Sequence, residues 1–242
     1  MTLPIQQKPV FNTKLPSSGI KIEYYPFSVK ELKSLLIAQE TENVEDIVST
    51  IKTIITSCIK TKIDYDKLTP FDIEYLFIKI RAKSVGEILE FIIRCDACNS
   101  PTAKQPVTIN LDDVIIEKTD KHAQKFDLFD SVGISMKYPD MAQLEELNNI
   151  DLTNLSGSVT DKLIEISAEC IDYIYDAEQM YSSKDHSKDE LIKFIEQLNS
   201  EQFSKIRSFF ETMPECRIYV DFVCKECGAT HKKYLNGIST FF

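Results

Sequence analysis

Two Cys-x-x-Cys pairs constrain this chain more than any other feature: Cys95 with Cys98, in "CDAC", and Cys224 with Cys227, in "CKEC". Each pair follows a stretch of alternating apolar residues, "EILEFIIRC" and "CRIYVDFVC", and each is followed by a second stretch of that kind. Both therefore read as strand, thiol turn, returning strand. One pair cannot complete a metal shell. Two pairs supply four sulfurs, which close a tetrahedral zinc ion with no open position. With seven cysteines in 242 residues, chance yields two such pairs about one time in fifty. The usual zinc ribbon separates its pairs by about 15–20 residues, whereas 125 residues lie between Cys98 and Cys224. Closing the longer loop costs about 2 kcal/mol more. Zinc binding in small peptides contributes about 10–16 kcal/mol, so the metal outweighs the gap. A redox pair should instead open a helix, where the dipole lowers the thiol pKa. Reduced, metal-free thiols in turns are the remaining alternative. His231, four residues after Cys227, could stand in for one sulfur.

The elements around these turns indicate an α+β fold, with helical subdomains around a β-rich centre containing a split, zinc-ribbon-like site of four cysteines. Residues 1–18 carry three prolines and read as an extended arm. Residues 19–84 read as a strand, "IKIEYYPF", followed by a helical subdomain. Ser28 and Glu31 have capping-box spacing at the first helix. "VEDIVSTIKTIITSCIK" places Ile51, Ile54, Ile55 and Cys58 on one helical face. Thr69, Pro70 and Asp72 begin a broadly apolar helix. Residues 85–138 read as mostly β: the first knuckle, a turn near Asn99–Pro101, the return "PVTINLDDVIIE" and a hairpin turning at Asp130–Gly133. Residues 139–214 read as helical, including one long helix over "TDKLIEISAECIDYIYDAEQMY" and a second capping box at Ser187 and Glu190. Residues 215–242 bring the second knuckle back onto the β-rich segment.

Composition narrows the function. The net charge of −10 opposes nucleic acid and anionic membranes. No stretch approaches the roughly 20 apolar residues that span a bilayer. The N-terminus lacks the apolar core of a signal peptide, which places the chain in a reducing cytoplasm and its cysteines outside disulfides. No P-loop, G-x-S-x-G, H-E-x-x-H or G-x-G-x-x-G motif occurs. His122 and His186 sit among lysines and aspartates and read as solvated. The chain therefore reads as a non-enzyme without a small-molecule substrate.

Three runs, "LPSSGIKIEYYPFSVKELKSLLIAQE", "LTPFDIEYLFIKIRAKSVGEILEFIIRC" and "INLDDVIIE", continuing into "VGISMKYPDM", resemble baseplate hub proteins of T-even-type contractile-tailed phages. The resemblance covers roughly residues 14–141. It implies a hub subunit or hub-assembly factor whose partners are other tail baseplate hub proteins. It also implies assembly in the host cytoplasm, with the virion baseplate as a further address. The run around Arg81, Ser84 and Gly86 is its most specific part, and Arg81, Lys83 and Ser84 are its candidate partner-contact residues. It reads either as a helix end leading through Gly86 into a strand or as a partner-contacting corner. The alternative function is a zinc-ribbon regulator that binds transcription machinery or nucleic acid.

Overall fold

The computed structural model describes residues 7–41, 43–65, 68–98, 102–148 and 157–241. The chain forms two compact units, Met1–Glu117 with Glu215–Phe242, and Lys118–Pro214. Seven helices and several small antiparallel sheets among the described residues make the fold α+β. The division after Glu117 falls inside the stretch 85–138 that the sequence presents as one β-rich segment.

The first unit opens with an antiparallel hairpin of β1 (Phe11–Lys14) and β2 (Lys21–Tyr24), Phe11 lying opposite Tyr24. Part of the stretch read as an extended arm is thus a paired strand. Four residues are too few to show a period beside three prolines. α1 (Val29–Thr41) begins as its Ser-x-x-Glu spacing requires: the Glu31 carboxylate accepts the Ser28 amide at 2.7 Å. α2 (Val44–Cys58) is capped by Asn43, whose side chain accepts the Glu45 amide, and it buries Ile51, Ile54, Ile55 and Cys58. α3 (Pro70–Val85) starts with a complete Thr69/Asp72 capping box. Its Leu76, Phe77, Ile78 and Ile80 are fully buried, each stabilising the unit by about 1.5–3 kcal/mol. Asp72 is buried as well, and the Ser17 amide donates to its carboxylate at 3.0 Å together with the Ser17 and Thr69 hydroxyls.

Gly86, at φ 140°, ends α3 in a conformation that a side chain would strain and turns the chain into β3 (Ile88–Arg94). β3 pairs antiparallel with β4 (Lys104–Asn110), Ile88 opposite Asn110 and Arg94 opposite Lys104. The turn at residues 99–101 lies outside the described residues. The return "PVTINLDDVIIE" is not one strand. It breaks at a 3-10 turn, Leu111–Asp113, and resumes as β5 (Ile115–Glu117). Asn110 causes the break by accepting the Asp112 amide on its own side chain at 2.9 Å.

The second unit is a four-stranded antiparallel sheet with helices. β6 (Lys125–Phe129) and β7 (Val132–Met136) form the hairpin expected around Asp130. α4 (Met141–Asn148) and α5 (Gly157–Cys170) follow. The long helix read from sequence ends at Cys170: Ile171–Tyr175 is strand β8, and Met180–Ser182 is strand β9. Ile166, Cys170, Ile171 and Ile174 keep helical spacing across the change, so periodicity alone cannot locate it. The β-branched and aromatic run "IDYIY" favours the strand and completes the order β6-β7-β8-β9. α6 (Lys188–Glu196) and α7 (Ser200–Glu211) carry complete capping boxes at Ser187/Glu190 and Asn199/Gln202. Leu163, Ile166, Leu191, Ile195, Ile206 and Phe209 join the sheet's Leu128, Ile134 and Met136 in one core.

The return leg completes the first unit. β10 (Glu215–Val223) pairs with β5 through Glu215–Arg217 and with β11 (Thr230–Leu235) through Ile218–Val223. Its Ile218, Val220 and Phe222 are buried, as their alternation requires. The buried Cys216 thiol donates to the Phe71 carbonyl at 3.3 Å, tying β10 to the start of α3.

His122 is not the solvated residue its polar neighbours suggest. It packs between Tyr138 and Phe209, at ring separations of 5.6 and 5.2 Å. Its Nδ1 lies 3.1 Å from the Thr212 hydroxyl and its Nε2 3.0 Å from the Tyr138 hydroxyl. Thr212 already donates to the Ser208 carbonyl. It therefore accepts from Nδ1–H, and Nε2 accepts the Tyr138 proton. Burial lowers the His122 pKa below its usual value. A pKa depressed on folding gives stability that is complete above the unfolded value and lost as pH falls through the folded one. The melting temperature should therefore drop between about pH 7 and pH 5, and His122→Gln should flatten that dependence. Equal slopes for the two proteins would refute the assignment.

Gly133 makes a second prediction. A Cβ there would meet the Tyr175 ring at 2.2 Å and the Phe126 carbonyl at 2.8 Å. Gly133→Ala should destabilise the protein by about 1–3 kcal/mol. Chemical denaturation measures this, and an unchanged midpoint would contradict the close approach.

Candidate metal centre

Cys95 directly follows β3 and Cys224 directly follows β10, so each thiol turn hangs from the end of a ladder. The two ladders close alike. The Cys95 amide donates to the Ala103 carbonyl at 3.0 Å, and the Cys224 amide to the Ala229 carbonyl at 2.9 Å. In the second knuckle the Gly228 amide also donates to the Cys224 carbonyl, at a φ of 71° that glycine adopts without cost.

The four sulfurs of Cys95, Cys98, Cys224 and Cys227 all lie within 4.8 Å of one another. Between the knuckles, Cys95 lies 3.7 Å from Cys227 and Cys98 lies 4.0 Å from Cys224. Sulfurs about 2.3 Å from a tetrahedral zinc are about 3.8 Å apart, whereas a disulfide needs about 2.05 Å. The spacing suits four thiolates around one ion and rules out bonded pairs. Among the described residues this is the one such cluster of His, Cys, Asp or Glu donors. Cys95 and Cys224 are buried, Cys98 is half-buried and Cys227 is exposed.

The electrostatics favour a cation at the centre. The amides of Cys227 and Glu226 point at the Cys224 sulfur and lower its pKa to about 7. The Ala229 amide lowers Cys227, but the neighbouring Cys224, Cys95 and Cys98 sulfurs outweigh it and raise that thiol to about 12. Four negative sulfurs at this separation repel one another unless a positive ion neutralises them. His231 stacks on Phe222 at 4.7 Å and brings Nε2 to 3.0 Å from the Cys95 sulfur. The imidazole thus meets one member of the sulfur set from the side.

Polar contacts join the knuckles directly. The Gln105 side chain donates to the Val223 carbonyl at 2.9 Å and accepts the Lys225 amide at 3.1 Å. Lys233 forms an ion pair with Asp96 and donates to the Arg94 carbonyl at 3.3 Å. The sequence carries no signal for these bridges, because they join side chains 118 to 139 positions apart.

The corner of Arg81, Lys83 and Ser84 lies at the end of α3. Arg81 is only 8% exposed. Ser84 accepts the Phe27 amide at 2.9 Å and donates to the Ile80 carbonyl. Lys83 pairs with Glu87 and, at 3.0 Å, with Asp112, which also takes Lys79 at 3.1 Å. A clustering of Lys79 and Lys83 around Asp112 was not legible, because Asp112 reaches them only by leaving the strand at the 3-10 turn.

An apolar cavity of about 330 Å³ in the second unit is lined by Phe129, Ile174, Tyr181, Leu191 and Phe194, with His186 and Glu190 at its wall. No helix among the described residues is long and apolar enough to cross a membrane.

No curated protein and no solved structure matches the chain. A protein-family model does, over residues 8–242. That span includes both knuckles and both units, and the chain belongs to the T4 bacteriophage base plate protein family.

Proposed function

We propose that this baseplate protein acts at the hub of the tail baseplate, as a subunit or an assembly factor, through contacts with other hub proteins, and that a structural zinc ion braces it. The family membership, combined with a closed four-sulfur cluster and no accompanying catalytic set among the described residues, carries the reading. Cys95, Cys98, Cys224 and Cys227 hold the ion and leave no position for substrate. Zinc here supplies folding free energy and chemically inert cross-linking. An assembly factor needs only to bind the competent conformation of its client more tightly than the incompetent one. It meets its clients in the host cytoplasm during assembly and accompanies them into the virion baseplate if it stays bound.

Elemental analysis of freshly purified protein should find one zinc per chain. Cys224→Ser should weaken zinc binding by more than the roughly 10–100-fold typical of losing an outer-sphere partner, and it should lower the melting temperature. A metal-free preparation that melts identically with and without added zinc would exclude the structural ion.

Affinity capture of the tagged chain from infected cells should recover hub proteins of the tail. Recovery of transcription machinery or nucleic acid alone would sink the hub reading. Lys83 is the member of the Arg81–Ser84 corner that a client would meet. Lys83→Ala should reduce that recovery by more than its small loss of stability explains, a loss of at most about 1 kcal/mol for these half-exposed ion pairs, if the corner touches a client. Full recovery assigns the corner to the fold.

A further inference from the structure

β3 is a seven-residue strand with one neighbour among the described residues, where its sheet contains only β3 and β4. The hydrogen bonds that continue this ladder fix which way each residue faces. At one end the Cys95 amide donates to Ala103, and at the other the Leu111 amide donates to Glu87. Bonding residues alternate along an antiparallel pair. The odd-numbered residues of β3 therefore bond β4, while the amides and carbonyls of Ile88, Glu90, Ile92 and Arg94 point to the free edge. Of these, the Arg94 carbonyl takes Lys233.

Exposed edges are commonly blunted by proline, bulges or lysine. β4 has Pro106 on its own outer edge, lying opposite Ile92. β3 has no proline, no glycine and no register shift. It instead exposes Ile88 at 58% and Ile92 at 70%. Glu90 and Arg94 flank Ile92 on the same exposed face, and neither side chain forms an ion pair among the described residues. Arg94 also lies directly opposite Lys104, a like charge.

We propose that β3 is a self-association edge, which pairs antiparallel with β3 of a second copy of this chain. One two-fold register sets Ile92 against its own counterpart. That register brings Glu90 of each copy against Arg94 of the other, the Arg94 carbonyl exchanging its Lys233 contact for the Glu90 amide of the second copy. Shifting by two residues sets each charge opposite an isoleucine, and shifting by four sets Glu90 against Glu90. Charge complementarity therefore selects one register and a second copy as occupant. Pairing covers the most exposed isoleucine of the strand, satisfies the edge amides and gives Arg94 a carboxylate to offset Lys104.

Sedimentation equilibrium of the full-length, metal-replete chain tests this inference, which does not depend on the hub reading. The wild type should show a monomer–dimer equilibrium. Ile92→Lys, Glu90→Arg and Arg94→Glu should each weaken it at least about tenfold, with zinc content and melting curve unchanged. The double variant Glu90→Arg/Arg94→Glu should return to within about threefold of wild type, because the swapped charges still match. A monomer at all concentrations up to about 200 μM would overturn the proposal. A dimer that Ile92→Lys leaves intact, or a double variant no better than the single ones, would overturn it equally.

Discussion

Cys95 and Cys227 are 132 positions apart in sequence and 3.7 Å apart in space. Every arrangement in the first unit has to accommodate that convergence. The cost of bringing such distant points together grows only with the logarithm of the loop length. A single tetrahedral ion can therefore offset it, provided the sulfurs are presented together. Presentation is what the two ladders achieve. β3 and β10 each end one residue before a cysteine, and each knuckle is closed by a hydrogen bond that the cysteine's backbone amide donates. The excursion between the knuckles includes the whole second unit, whose own core reduces the disorder the closure must overcome.

The helix that positions the first knuckle depends on burial rather than amphipathicity. α3 hides residues on almost every face, so its direction is fixed by packing on all sides. Gly86 then turns the chain, and Lys79 and Lys83 on the last turns of α3 grip Asp112 just beyond β4. Both ends of the β3–β4 hairpin's open side are thereby tied to the same helix. On the other side β10 is tied to the start of α3 through Cys216 and Phe71. Both knuckles thus derive their placement from one buried element, and the four sulfurs meet between parts already close to register.

What was legible in the sequence follows from range. The helix cap at Thr69, the capping box at Ser187, the alternation of Ile218, Val220 and Phe222, and the thiol spacing all act over a few residues. Each was readable, and each appears in the structure. The α5-to-β8 change failed because helical spacing persists through Ile171 and Ile174, while the deciding influence is a place beside β7 in a sheet. His122 failed for a related reason. Its neighbours in sequence are polar, but its neighbours in space are Tyr138 and Phe209. The break at Asn110 turned on one side-chain hydrogen bond that competes with the strand. The Gln105 and Lys233 bridges require both knuckles to be placed before either partner can be named.

The same bridges bear on what this surface can bind. Lys79, Lys83 and Lys233 support the first knuckle, and carboxylates already engage all three. Phosphate binding would have to displace Asp112 or Asp96, in a protein whose net charge is −10. A counterion-release mechanism needs unspent lysine or arginine, and these three are committed to the fold. Arg94 is the exception on β3, and its exposed partner on the same strand is a glutamate. A plus and a minus charge on either side of an exposed isoleucine complement another protein strand far better than they complement a polyanion.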